Sequence, residues 1–216
     1  MSPLTLETAH AWYSDTDPVH DFAHIERVYH MATRLALAEG ADLEIVQTAA
    51  LLHDAEGSAP GSENSSGRAN HHLSSAEFAR AILEKENWPQ DRLDAVLHCI
   101  RAHRFRAGRE EPQTMEAKVL FDADKLDVLG AVGVARTIAY AVLDGKPVYA
   151  PVSEQFIETG KELPGEPHSS YHEFIFKLRN VKDRLFTKSA YEIAVSRHEY
   201  LDQYYQRLIA EMNAEA

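Results

Sequence analysis

A chain of 216 residues, 44% hydrophobic and 26% charged, is long enough to bury a sizeable core, and its composition excludes a disordered or fibrous protein. With 22 Lys and Arg against 34 Asp and Glu, the formal charge of −12 repels nucleic-acid backbone and anionic lipid, so extended polyanionic partners are disfavoured. A small phosphorylated ligand stays compatible, because a bound cation and a few local basic residues reverse the sign inside one cleft.

The opening MSPLTLETAHAWYSD has no basic segment followed by an apolar run, and no stretch approaches the roughly 18 apolar residues of a membrane span. A cytoplasmic location without a membrane partner is therefore expected. From His20 to Gly40 the residues Phe22, Ile25, Val28, Tyr29, Ala32, Leu35 and Ala36 recur at helical steps, and Gly40 ends the pattern. Asp42 stands at an N-cap position, and Leu43 to Ala55 reads as a second helix with an apolar centre. Residues 56–70, rich in Gly, Ser and Asn, read as a loop.

Helices are predicted at about 74–86 and, with Pro89 in the first turn, at about 89–104, followed by a polar loop from Ala107 to Gln113. The single cysteine, Cys99, permits no intrachain disulfide and reads as a small buried hydrophobe. Thr114 to Leu143 reads as one long helix in which Gly130 and Gly133 mark close packing or a kink. Four prolines and three glycines make 144–169 irregular, with room for one short helix, and 170–186 and 188–214 read as two more helices. No strand and no internal repeat is found. The expected class is all-α, a compact helical bundle with a C-terminal helical extension, in a single domain over 1–216.

His53 and Asp54 end an apolar helix just before the Gly/Ser loop, and an ionisable pair there needs a partner that offsets its desolvation. A divalent cation is such a partner, since imidazole nitrogen and carboxylate oxygen at a helix end converge on one ion. The dipeptide alone is equally open to being incidental. His24 on the preceding helix and the Asp-rich DADKLD on a later one complete a His, His-Asp, Asp set.

Taken in order, HDFAHIERV, AALLHD and FDADKLDVLGAVGVAR resemble the signatures of HD-domain phosphohydrolases over about 18–137. The helices of about 170–214 resemble those of a bacterial subgroup acting as nucleoside triphosphate pyrophosphohydrolases. The resemblance implies metal ligands at His24, His53, Asp54 and Asp124, and a divalent ion drawn from Mn, Mg, Fe, Ni or Co. It also implies substrate-binding roles for His20, Asp21 and Arg27, and catalytic roles for Glu56, Lys125 and Asp127. Asp127 lies three residues from Asp124 on the same helical face, where it can orient Lys125, water or a ligand. Arg27 and Lys125 also read as solvated helix faces, and Glu56 as an ordinary acidic loop residue. His71, His72, His98 and His103 raise a second metal or phosphate site, for which His98 and His103 are the named pair; one ion is preferred to two.

The expected function is metal-dependent hydrolysis of a nucleotide or small phosphate ester, more specifically of a (deoxy)nucleoside triphosphate to monophosphate and pyrophosphate. No Walker-type loop and no Gly-x-Ser-x-Gly elbow competes with it. Two other readings stay open: a di-iron oxygenase of the same family, and a nucleotide-sensing module without catalysis. The expected partner is a small phosphorylated substrate, with no nucleic-acid polymer, and the chain is expected as monomer or homodimer.

Overall fold

The computed structural model describes residues 4–13, 22–56, 65–104 and 110–216, with only the backbone described for 65–70. Every regular element among these residues is helical, as the periodicities predict. Contacts sort the chain into two compact units, Met1–Asp124 and Lys125–Ala216.

The first unit is built on α1 (Leu6–His10), α2 (Phe22–Glu39), α3 (Leu43–Leu52), α4 (Ser65–Lys85), α5 (Gln90–Ala102) and most of α6 (Met115–Leu126). Helix α2 buries Phe22, Ile25, Val28, Ala32, Leu35 and Ala36, the stripe read from the sequence. It stops at Gly40, whose φ of +72° supplies the left-handed turn, and Ala41 N–H closes back on the Ala36 carbonyl at 3.1 Å. Asp42 caps α3 by accepting from the amides of Glu44 and Ile45. Arg92 on α5 grips that same carboxylate at 2.9 and 3.0 Å, tying α5 to the start of α3. Packing Phe22, Ile25 and Leu51 with Ala9, Trp12 and Tyr13 holds α1 against α2 and α3.

Two boundaries here differ from the sequence reading. Ser65–Asn70 is helical rather than loop, so α4 begins well before residue 74. Its buried Ser75, Ala76, Ala79 and Leu83 anchor the helix, and each further residue then adds a hydrogen bond without a new nucleation cost, which outweighs the weak propensity of SSGRAN. Pro89 is the N-cap of α5 rather than its first residue. Residues 57–64 of the expected 56–70 loop and 107–109 of the second loop lie outside the described residues.

The second unit contains α7 (Gly130–Leu143), α8 (Glu154–Thr159), α9 (Ser170–Phe176), two 3₁₀ turns at Leu178–Asn180 and Lys182–Arg184, and α10 (Lys188–Met212). The helix expected over 114–143 is thus two helices. The chain breaks after Leu126 and restarts at Gly130, whose φ of +69° is left-handed. Gly133 sits so close to the Val128 carbonyl that no side chain fits. The helix expected over 170–186 is also split, because α9 gives way to tighter turns that keep Leu178 and Val181 buried. Between α7 and α9 the irregular segment is organised by Glu166, whose carboxylate accepts from Ser153 N–H at 2.8 Å, Ser153 Oγ at 2.7 Å and Leu163 N–H at 2.7 Å. No single helix among the described residues is long and apolar enough to cross a membrane.

Candidate metal centre

His53 is the C-cap of α3 and fully buried. Its Nδ1 lies 2.7 Å from the Ala50 carbonyl, and because a carbonyl only accepts, Nδ1 carries the proton and Nε2 presents its lone pair. Among the described residues that Nε2 has no hydrogen-bond partner. His103 repeats the device at the end of α5, with Nδ1 2.6 Å from the Ile100 carbonyl. In both cases a helix terminus aims an imidazole inward and the helix's own carbonyl fixes its tautomer.

His24, in the first turn of α2, brings Nε2 to 3.5 Å from Asp124 Oδ1 on α6 and 3.8 Å from Asp54 Oδ2. His53 Nε2 lies 3.7 Å from the same Asp54 oxygen. The other oxygen, Oδ1, faces His71 Nε2 at 3.1 Å and His103 Nε2 at 3.4 Å. Two sets of donors result, His24 with His53 and Asp124, and Asp54 with His71 and His103, each with its atoms within 4.8 Å of one another. Asp54 stands between them, one oxygen toward each.

Burial pushes the His53 imidazole down to about 4, against the opposing pull of Asp54, so the ring is neutral near pH 7. Burial by itself would raise the Asp54 carboxyl, but the surrounding histidines, His53 foremost, outweigh it and hold the group well below the usual carboxylate range. A neutral imidazole and an ionised carboxylate are the protonation states that bind a metal. The donor set, nitrogen and carboxylate oxygen with a buried, partnerless His53 Nε2, fits a divalent ion. Behind it, the Tyr13 hydroxyl donates to the Leu51 carbonyl at 2.8 Å; burial and then the Asp54 charge raise its pKa well above the ordinary tyrosine value.

Of the other residues singled out in the sequence, His20 and Asp21 lie outside the described residues. Arg27 is half-buried, one turn beyond His24 on α2. Glu56 has an exposed side chain, and its backbone N–H and carbonyl are both bonded to Ser75 Oγ at 3.2 Å. Lys125 directly follows Asp124 on α6, while Asp127, just past the helix, is buried in an ion pair with Arg136. Asp122 is fully buried.

His98 does not join either donor set. Its Nδ1 pairs with Glu110 at 2.6 Å and its Nε2 accepts from Gln113 N–H at 3.0 Å, which turns the ring away. The place the sequence reading gave to His98 is taken by His71. The early start of α4 sets His71 into a helix that presents it to Asp54, a register the Gly/Ser-rich sequence conceals. Tyr13 was not singled out, for no motif marks it.

The HD-domain family profile matches residues 21–129, the stretch that holds His24, His53, Asp54 and Asp124. This chain belongs to the HD-domain family. It is 33% identical over 203 residues to YpgQ of Bacillus subtilis, covering 90% of this chain and 85% of that protein. The crystal structure of YpgQ in complex with ADP superposes with a TM-score of 0.70 at 29% identity, over 95% of this chain and 94% of that one. An HD-superfamily hydrolase from Bacillus thuringiensis is similar at a TM-score of 0.69 and 30% identity, over 97% of each chain. The HD-domain fold is thus shared along nearly the whole chain, including the helices beyond the profile match.

Proposed function

We propose that this HD-domain chain is a divalent-metal-dependent phosphohydrolase acting on a nucleotide, releasing pyrophosphate from a (deoxy)nucleoside triphosphate. The observation that carries the reading is the convergence of His24, His53, Asp54 and Asp124 around a buried His53 Nε2 that has no hydrogen-bond partner among the described residues. The presence of ADP in the YpgQ crystal supports a nucleotide as the ligand class.

When bound, a divalent ion acidifies its water ligand and offsets charge building on the phosphoryl oxygens. His53 is held by the Ala50 carbonyl with its lone pair inward, so it binds without rotamer searching. His24 and Asp124 close the same donor set from α2 and α6. Arg27 and Lys125 are the cations nearest by sequence to the ligands and are assigned to the substrate phosphates, and the family resemblance gives His20 and Asp21 a substrate-binding role. Glu56, two residues after Asp54, is the carboxylate assigned to orient the attacking water, and Asp127 positions Lys125 while paired with Arg136. No covalent nucleophile is needed.

The test is a panel of nucleoside mono- and triphosphates with Mn²⁺, Mg²⁺ or Fe²⁺, with and without oxygen, resolving phosphate from pyrophosphate. Pyrophosphate from a triphosphate without oxygen is expected; phosphate alone would make the chain a phosphatase. The second donor set, Asp54 with His71 and His103, favours one other reading, a di-iron oxygenase. Turnover that requires both iron and oxygen would replace the hydrolase by it, and metal binding without any turnover would leave a sensor.

A further inference from the structure

The turn that follows α3 is closed by a different group at each carbonyl. Ala50 accepts from His53 Nδ1 at 2.7 Å, and Leu52 accepts from Ala55 N–H at 3.3 Å. Because Ala55 closes back three residues instead of four, the amide that would continue the α-helical ladder to Leu51 is spent on Leu52. Tyr13, 38 residues earlier in the chain, takes that place, its hydroxyl donating to the Leu51 carbonyl at 2.8 Å. Burial and then the Asp54 charge raise the pKa of this hydroxyl, and the Asp54 backbone N–H lowers it through a hydrogen bond to the same oxygen. The Tyr13 ring is itself held. It packs at 5.5 Å on Phe22 in the cluster with Ile25 and Leu51, and the neighbouring Trp12 meets Phe78 of α4 edge-on at 5.8 Å.

We infer that Tyr13 is a positioning residue of the metal centre, its hydroxyl fixing the turn at the end of α3 so that His53 and Asp54 stand ready for a divalent ion. The inference rests on the metal-centre reading proposed above. Leu51 is two residues before His53 and three before Asp54, so a shift of its peptide is passed to both within one turn. The far side of the same turn is held by Ser75 on α4, whose Oγ meets both the N–H and the carbonyl of Glu56 at 3.2 Å. Tyr13 thus holds the near side and Ser75 the far side, with the two ligands between them. Groups that orient ligands from behind are worth about ten- to hundredfold in metal affinity. Tyr13 acts through the backbone rather than on a ligand atom, which places its effect at the lower end.

Three full-chain proteins test this: wild type, Tyr13→Phe, which keeps the ring and loses the hydroxyl, and Tyr13→p-aminophenylalanine, whose amine still donates to the Leu51 carbonyl. Mn²⁺ titrations followed by electron paramagnetic resonance should show Tyr13→Phe binding about tenfold more weakly than wild type, and the amine variant restored to within about threefold. In the metal-free proteins, amide exchange at Asp54 and Ala55 should accelerate about tenfold in Tyr13→Phe alone. A tyrosine that served packing only would leave both readouts at their wild-type values in Tyr13→Phe, because the ring is unchanged. Wild-type Mn²⁺ affinity in Tyr13→Phe, unchanged exchange at Asp54 and Ala55, or an amine variant as weak as Tyr13→Phe would each overturn the positioning role and leave the metal-centre reading standing. A wild type that binds no Mn²⁺ would overturn the metal-centre reading, and the inference with it.

Discussion

Lowering the pH from 7 to 5 should destabilise the metal-free protein through His53 in particular. The unfolded chain protonates this ring near 6.5, whereas burial holds it neutral in the folded state until about pH 4. Because the folded pKa is depressed, the unfolded state binds more protons throughout that window, so stability falls as pH falls through it. At about 1.36 kcal/mol per pH unit, the drop to pH 5 costs about 2 kcal/mol, and the full shift about 3 kcal/mol below pH 4. Asp54 does not blur the window, because its carboxyl is held below the usual range and titrates at lower pH. The assay is urea denaturation of EDTA-treated protein at a series of pH values, comparing wild type with His53→Asn, whose amide can still donate to the Ala50 carbonyl but does not titrate. The variant's stability should change by about 2 kcal/mol less between pH 7 and 5. Parallel curves for the two proteins would refute the burial argument.

Asp54→Ala should abolish retention of Mn²⁺ and all phosphohydrolysis while far-UV circular dichroism keeps its helical amplitude; stoichiometric metal on the variant would remove the proposed site. Gly133→Ala drives a methyl group into the Val128 carbonyl and should cost about 3 kcal/mol, whereas Gly145→Ala, with φ at +68° and open space around it, should cost about 1 kcal/mol. Thermal melts should separate the two by several degrees, and equal melting temperatures would contradict the packing account. Glu166→Gln leaves one strong acceptor where the carboxylate serves Ser153, Leu163 and His172, so amide exchange at Ser153 and Leu163 should accelerate about tenfold. Unchanged protection there would show that the segment is held by something else.

Local order carried far in this chain. Helix α2, its stop at Gly40 and the cap at Asp42 follow from periodicity, left-handed backbone freedom and a short polar side chain, all properties of neighbouring residues. The set His24, His53, Asp54 and Asp124 was legible because residue type, an apolar helix ending at His53 and the motif order all select it, and the fold brings these four side chains together. What the sequence could not decide depends on groups distant along the chain. Whether 114–143 stays one helix turns on a left-handed Gly130 and the approach of Gly133 to Val128, which propensity does not register. Whether His98 or His71 faces Asp54 turns on Glu110 and Gln113 capturing one ring and Arg104 the other, partners 12 to 33 residues away. Spacing along a helix fixes the face a histidine occupies; only the tertiary structure supplies the partners, such as the Ala50 carbonyl at His53, that turn one ring nitrogen toward the centre.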